Sequence, residues 1–343
     1  MWANWHMERG YLMDLYYSQK LELFASNKEA IDKAFKLELG ASQVAAALIF
    51  TNAGRTADTN RMKACHDILK KKAGVFSPFR DSSELIVLAR MALENYPEQY
   101  IDELISIYKE FGKKTLYQDN YVLLTAMIIQ DRGQKDNTAA IKEKTIAIMK
   151  AMADKHPILT GSEDLALAAL LAMTDHSVER IIDDMEECYN YAKKELRLKA
   201  DSNAIQALAQ ILALGDGAIR SNCDKVTLLF NEFKAQGSKF GASTEFPAIA
   251  ALIDIEMPKE QLVAEVIEAS AYLKKFKGFG SFYMDNKDRL MYASLLANSV
   301  FTSEPSSDAS VIVSNAIMMA IAEEMALIVC MMTASIAAAS ACD

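Results

Sequence analysis

Short stretches rich in alanine and leucine and poor in charge recur along the chain, and this repetition constrains the fold more than any other feature. Between them lie charged stretches whose apolar residues follow helical spacing, as at Ile101, Leu104 and Tyr108. We name the first kind A segments and the second kind B segments. The A segments occupy residues 45–49, 89–93, 124–129, 169–173, 208–214, 250–255 and 293–297.

Each B segment runs into a loop that carries one large apolar residue, and successive residues of this kind are 39 to 42 positions apart. They are Phe76, Tyr117, Leu159, Leu198, Phe240 and Phe282. Short polar residues that favour helix N-termini follow each of them within a few positions. We therefore predict an all-α fold of stacked antiparallel helical hairpins of about 41 residues each. An irregular helical globule with a chance periodicity is the alternative.

The distribution of charge predicts which helix of each hairpin is covered. The stretch 202–214 contains no charged residue, whereas the B segments carry charge on one side. We expect the A helices to form an inner layer and the B helices to shield it from water. Both an open α-solenoid, or α/α superhelix, and a closed α/α toroid satisfy this pattern.

The C-terminal part of the chain differs from the repeats. No lysine or arginine follows Arg289, and residues 311–342 are apolar apart from Glu323, Glu324 and a few small polar residues. We divide the chain into an N-terminal helical segment 1–36, a hairpin-repeat domain 37–303 and an apolar C-terminal helical segment 304–343. The preferred interpretation is that this last segment packs on the inner helices. A displaceable plug and membrane association through 311–342 are the alternatives, although the two carboxylates divide it into lengths unsuited to a bilayer.

Charge and cysteine content argue against several functional classes. The net charge is −9 with no strongly basic stretch of domain size, so we expect no nucleic-acid partner. The first residues lack the uninterrupted apolar run of a signal peptide, and the five cysteines include no C-x-x-C pair. We predict a cytoplasmic protein with reduced thiols.

Motifs of catalysis are not evident. We find no glycine-rich phosphate loop, no H-E-x-x-H and no G-x-S-x-G, and we predict no catalytic, cofactor-binding or metal-ligating residue. The acidic cluster Asp183, Asp184, Glu186 and Glu187 imitates the aspartate-rich stretch with which prenyl-chain enzymes hold magnesium. It lies on a charged B segment beside Arg180, however, so we interpret it as a solvated outer face.

Aromatic and cationic residues in the loops have two interpretations. They either staple one hairpin onto the next, which the periodicity favours, or line a recognition rim along one edge of the stack. The candidates are Phe76, Phe79, Arg80, Tyr117, Lys239, Phe240, Phe279 and Phe282.

Several motifs in these loops resemble those of a known family. They are FSPFR at 76–80, HPILTG at 156–161, AIQALAQILALGDG at 204–217, SKFGASTEFP at 238–247 and KGFGSFYMDNKDRLMYASLLA at 277–297. In this order they resemble a family of Gram-positive bacteria known as domain of unknown function 4003. The likeness covers nearly all of the chain after Lys36. The family implies no activity, substrate or catalytic residue.

The leading functional hypothesis is a noncatalytic cytoplasmic repeat protein that binds a protein or a peptide, because stacked hairpins mostly supply binding surfaces. The alternatives are an enzyme with a pocket at the inner face of an α/α toroid and a protein that associates peripherally with membranes through residues 311–342.

Overall fold

The computed structural model describes residues 13–301, except 76, 82, 114, 115, 216 and 283. Within these ranges the chain folds into thirteen α-helices, a seven-residue 3₁₀ segment and several shorter helical turns, with no strand. The all-α prediction is therefore confirmed. None of the described helices combines the length and the apolar character that crossing a membrane requires.

One set of helices is buried along one face only and corresponds to the B segments. In the helix Pro97–Gly112, for example, Ile101, Leu104 and Phe111 are buried while the opposite side carries charge. These outer helices are α1 (Leu15–Ala34), α3 (Thr59–Lys72), α5 (Pro97–Gly112), α7 (Thr138–Lys155), α9 (Val178–Asn190), α11 (Ile219–Ala235) and α12 (Lys259–Leu273).

The second set of helices is buried nearly all round and corresponds to the A segments. Within 204–214 every residue except Ala207 is buried, as the lack of charge predicted. The inner elements are α2 (Gly40–Asn52), α4 (Glu84–Leu93), α6 (Asp119–Asp131), α8 (Leu165–Ala172), α10 (Ser202–Leu212), the 3₁₀ segment Phe246–Leu252 and α13 (Asn286–Phe301).

Each outer helix packs against the inner element that follows it, so that each pair forms a hairpin. Each outer helix also contacts the next outer helix along the chain, from α1 and α3 through α5, α7, α9 and α11 to α12. The last outer helix, α12, also contacts the first, α1, and the last inner helix, α13, contacts α1 as well. We name the contact between the first and the last hairpin the seam.

Aromatic side chains hold the seam together. The Phe24 ring on α1 lies edge-on to Phe279 with ring centroids 5.2 Å apart, and Tyr17 meets Phe301 at 5.3 Å. The Tyr17 hydroxyl donates to the Ala293 carbonyl oxygen at 2.7 Å. Because Tyr17, Phe24 and Phe279 are fully buried, the seam continues the hydrophobic core.

The boundary that we drew at residue 36 falls between the two helices of the first hairpin. Helix α1 packs along α2 and belongs to the outer layer from residue 15 onward. The predicted apolar segment 304–343, including 311–342, lies outside the described residues.

Polar contacts between loops link neighbouring hairpins where the inner helices begin. Asp201 occupies the N-cap position of α10, but the Ser243 hydroxyl of the next loop donates to its carboxylate. The Asp201 backbone N–H also donates to the Ala242 carbonyl oxygen at 2.8 Å. The polar residues predicted at these sites therefore connect loops as well as capping helices, whereas Asp285 caps α13 conventionally through the N–H groups of Lys287 and Asp288.

Candidate functional site

Three of the aromatic rim candidates lie in the core. Phe79, Phe240 and Phe279 are at most 4% exposed, and each packs against a ring from a helix. Their partners are Tyr108 at 5.1 Å, Phe233 at 4.9 Å and Phe24 at 5.2 Å, respectively. These three rings contribute to packing between helices and leave no aromatic surface for a partner.

The remaining rim candidates are less buried. Arg80 and Tyr117 are half-buried, and burial raises the pKa of the Tyr117 hydroxyl. Lys239 is exposed, and Phe282 is 93% exposed, so Phe279 takes the buried loop position that the period assigned to Phe282. Phe76 lies outside the described residues. Because three of the seven described candidates are buried, these seven residues do not form one exposed surface.

The acidic cluster lies on outer helix α9, away from the inner layer. Asp183 is exposed, and each of the other three acids contacts a basic side chain. Asp184 pairs with Arg180 at 3.5 Å, Glu186 with His156 at 2.7 Å and Glu187 with Arg220 at 2.8 Å. No group of acidic, histidine or cysteine side chains in the described part of the chain has the arrangement of a metal site.

One cavity opens at the seam, where α1 ends and α2 and α13 begin. It has a volume of about 510 Å³, and we name it the seam cavity. This volume falls in the range of about 300–1,000 Å³ that is typical of ligand sites. Seven charged residues line the seam cavity. The lysines are Lys28, Lys33, Lys36 and Lys277, and the acids are Glu29, Asp32 and Asp288.

Lys28 is a buried lysine that lines the seam cavity. Its ammonium group lies 2.6 Å from Asp32 Oδ2 and 5.7 Å from the centre of the Phe279 ring. Gly278 has a φ of +85°, and a Cβ atom there would approach the Lys28 nitrogen to 2.6 Å. A glycine at this turn therefore serves two purposes, because it accepts the left-handed backbone conformation and makes room for a buried cation.

Asp288 also lines the seam cavity, at the start of α13. Burial is the main cause that raises its pKa to about 6, and the neighbouring carboxylates of Asp285 and Glu245 raise it further. Part of the acidic lining thus loses its charge just below neutral pH.

A second cavity, of about 230 Å³, lies between the starts of α8 and α10 and the loop before the 3₁₀ segment. We name it the Asp164 cavity. Asp164 is 6% exposed, and its carboxyl accepts hydrogen bonds from the Gly161 N–H at 2.9 Å and from Gln206 Nε2 at 3.2 Å. Burial nevertheless raises the pKa of Asp164 to about 7.

No motif in the sequence predicted this cavity, although the sequence contains a signal of it. Gln206 and Gln210 are the two large polar residues in the charge-free stretch 202–214, and their spacing of four puts them on one face of a helix. Both are buried against the region of Asp164. Paired amides on an inner helix indicate a polar site, because buried polar groups require partners.

Two cysteines meet between neighbouring outer helices. The sulfur atoms of Cys188 on α9 and Cys223 on α11 are 3.1 Å apart, and both side chains are fully buried. The contact with Cys223 and burial both raise the pKa of the Cys188 thiol, so that it stays protonated at neutral pH. The pair packs in the core, and the Cys188 thiol is not a reactive thiolate.

The comparisons with known proteins agree with the resemblance seen in the loops. The chain has no significant match among curated proteins or among solved structures. One family model matches residues 27–329, from the middle of α1 to beyond α13. The match therefore includes the outer layer, the inner layer and both cavities. Because it covers most of the sequence, the chain belongs to this family, described as protein of unknown function (DUF4003).

Proposed function

We propose that this chain is a noncatalytic helical-repeat protein of the bacterial cytoplasm that binds an acidic segment of a partner protein or peptide. In this proposal the hairpins form a closed α/α toroid, and the acidic segment enters the seam cavity between the first and the last hairpin. Contacts of α12 and α13 with α1 support the closed arrangement.

The observation that carries the proposal is the accumulation of lysines at the seam of an acidic protein. The chain has a net charge of −9, yet four lysines and three carboxylates line the seam cavity. Asp32 neutralises Lys28, and Glu29 lies 2.8 Å from Lys33. Lys36 and Lys277 are exposed and form no ion pair within the part of the chain that the structure describes. They supply the charge that attracts a carboxylate.

The size and form of the cavity suit part of a polypeptide. The side chains of Val44, Met284 and Tyr292 also line the cavity and offer apolar contact beside the lysines. A glutamate or aspartate side chain, or a C-terminal carboxylate, reaches Lys36 and Lys277 while neighbouring residues contact these apolar side chains. Specificity then follows from charge and affinity from burial.

Reversing the charge of both lysines tests this assignment. We expect the variant Lys36→Glu/Lys277→Glu to bind a fluorescent peptide of alternating glutamate and alanine at least about tenfold more weakly than the native chain, since opposite charges become like charges. Fluorescence anisotropy at low and at physiological salt measures the change. A peptide of alternating lysine and alanine should bind neither the native chain nor the control variant described next.

The matched control is Lys194→Glu/Lys234→Glu, which changes the net charge equally at two exposed positions, one in the helical turn that follows α9 and one on α11. It should keep the native affinity to within about twofold, because screening limits the reach of surface charges to roughly 10 Å. Equal losses in the two variants would show that only net charge matters and would refute the seam cavity as the site.

A further inference from the structure

The loops that lead from an outer helix to the next inner helix share a pattern of charge and apolar exposure. In each of the first four, an exposed lysine is followed three positions later by an exposed aliphatic residue. The pairs are Lys36 with Leu39, Lys72 with Val75, Lys113 with Leu116 and Lys155 with Ile158. One exposed leucine is ordinary in a folded protein, but four aliphatic residues in equivalent places of consecutive hairpins form a pattern that needs an explanation.

These four loops follow one another along one edge of the stack, which we name the lysine edge. The outer helices that precede them, α1, α3, α5 and α7, contact one another in this order. Phe79 in the second loop packs on Tyr108 of α5 at 5.1 Å. The Gln118 N–H in the third loop donates to Ser162 Oγ in the fourth at 3.2 Å. The lysines and the aliphatic side chains therefore belong to one continuous surface.

Packing between hairpins does not account for these exposed side chains. In two later loops the apolar residues Leu198 and Phe240 are buried and join the core. Leu116 and Ile158, by contrast, are at least 94% exposed. Residues of the same kind that pack one hairpin on the next are thus found inside, and those of the lysine edge are directed to solvent.

The other ends of the same inner helices lack the pattern. The loops there are described completely, and they contain one lysine and no exposed leucine, isoleucine or valine. They are residues 53–58, 94–96, 132–137 and 173–177. Lysines beside exposed aliphatic residues therefore distinguish one edge of these four hairpins from the other.

A lysine beside a protruding aliphatic side chain suits the surface of an anionic lipid bilayer. Lysines are attracted to anionic headgroups, and aliphatic side chains gain by entering the boundary between headgroups and acyl chains. The cores of protein interfaces are instead depleted of lysine. A second copy of the chain on the same edge would place lysine against lysine, which repel each other.

We propose that the lysine edge binds reversibly to membranes that contain anionic phospholipids. In this contact Lys113 and Lys155 approach the headgroup phosphates while Leu116 and Ile158 enter the interface. The net charge of −9 keeps other surfaces away from the same membrane, which orients the protein on it. None of these four residues lines the seam cavity, so the two proposals can be tested separately.

Sedimentation of the full chain with lipid vesicles tests the inference. We expect the chain to bind vesicles of phosphatidylglycerol and phosphatidylcholine in equal amounts at least about tenfold more tightly than vesicles of phosphatidylcholine alone. Binding should weaken as the salt concentration rises, because salt screens exposed charges. Failure to bind the anionic vesicles, or equal binding to both kinds, would overturn the inference.

Substitution of the aliphatic residues assigns the contact to the lysine edge. Leu116→Ser/Ile158→Ser should weaken binding to the anionic vesicles at least about tenfold, since it removes the side chains that enter the interface. The control Tyr96→Ser/Leu228→Ser removes exposed apolar side chains away from this edge and should stay within about twofold of the native affinity. Unchanged binding by Leu116→Ser/Ile158→Ser would place the contact elsewhere, for example in residues 304–343, and would refute the proposal.

Charge reversal gives an independent comparison. Lys113→Glu/Lys155→Glu should also weaken binding at least about tenfold. The control Lys63→Glu/Lys225→Glu changes the net charge equally at exposed positions in the first half of α3 and of α11, and should weaken binding less than about threefold. Equal losses in the two variants would show that net charge alone matters and would contradict a contact through the lysine edge.

Sedimentation velocity without lipid tests the other occupant of this edge. We expect the native chain and Leu116→Ser/Ile158→Ser to sediment alike, because the proposal assigns no role to these residues between copies of the chain. A native dimer that this variant dissociates, together with no binding to anionic vesicles, would assign the edge to a second copy and overturn the inference.

Discussion

Replacing Phe24 by alanine is expected to lower the free energy of unfolding by about 3–5 kcal/mol, the usual cost of truncating a fully buried phenylalanine. The ring is fully buried and contacts both Phe279, at 5.2 Å, and Tyr292, at 5.7 Å. Both partners belong to the last hairpin, more than 250 residues further along the chain. Removing the Phe24 ring therefore removes packing between the first and the last hairpin. Denaturant unfolding followed by circular dichroism measures it.

Phe233→Ala is the matched control for this experiment. Phe233 is also fully buried, and its ring packs on that of Phe240 at 4.9 Å, away from the seam. We expect a similar loss of stability, but hydrogen exchange should accelerate in α1 and α12 only for Phe24→Ala. A loss below about 1 kcal/mol for Phe24→Ala would show that the seam is not packed as described.

Ionisation of Asp164 is expected to make the protein less stable as the pH rises. The pKa of this carboxyl is about 7 in the folded chain, against 3.8 for an ordinary aspartate, because burial disfavours the charged form. Between these two pKa values the folded chain keeps a proton that the unfolded chain has released. The free energy of unfolding therefore falls through this window, by about 3 kcal/mol between pH 5 and pH 8.

Asp164→Asn isolates this contribution, since asparagine has the same shape and does not ionise. From pH 5 to pH 8 the native chain should lose about 3 kcal/mol more stability than the variant, as measured by denaturant unfolding at each pH. Asp183→Asn should follow the native curve, because Asp183 is exposed. Parallel curves for the native chain and Asp164→Asn would contradict a buried carboxyl that titrates near neutrality.

Charge patterning predicted the layers because it reports burial directly. A stretch such as 202–214, with no charge on any side, lacks a face suited to water, whereas Ile101 and Leu104 mark one buried stripe on a charged helix. The same pattern does not fix how the ends of the stack are related. Seam contacts such as Phe24 with Phe279 join residues more than 250 positions apart, and local spacing does not encode such contacts.

Site residues were harder to predict than the layers, because sequence position does not report the direction of a side chain. Phe279 and Phe282 lie in the same loop and are equally apolar, yet the first is fully buried and the second is exposed. The positive φ of Gly278 is the local feature that accompanies this difference. Asp164 gave no motif, since its altered pKa arises from burial between elements that are distant in sequence.

The central claim is that the first and last hairpins meet and thereby create the seam cavity. Spin labels on cysteines introduced at the exposed positions Ser26 on α1 and Ala271 on α12 measure this directly by pulsed electron paramagnetic resonance. Cys330 and Cys342 are replaced by serine, while Cys65, Cys188 and Cys223 are buried. Neighbouring helices lie about 10 Å apart, so we expect one label separation below about 30 Å. If the two labels were about 60 Å apart, as expected for an open stack of these hairpins, the claim would be contradicted.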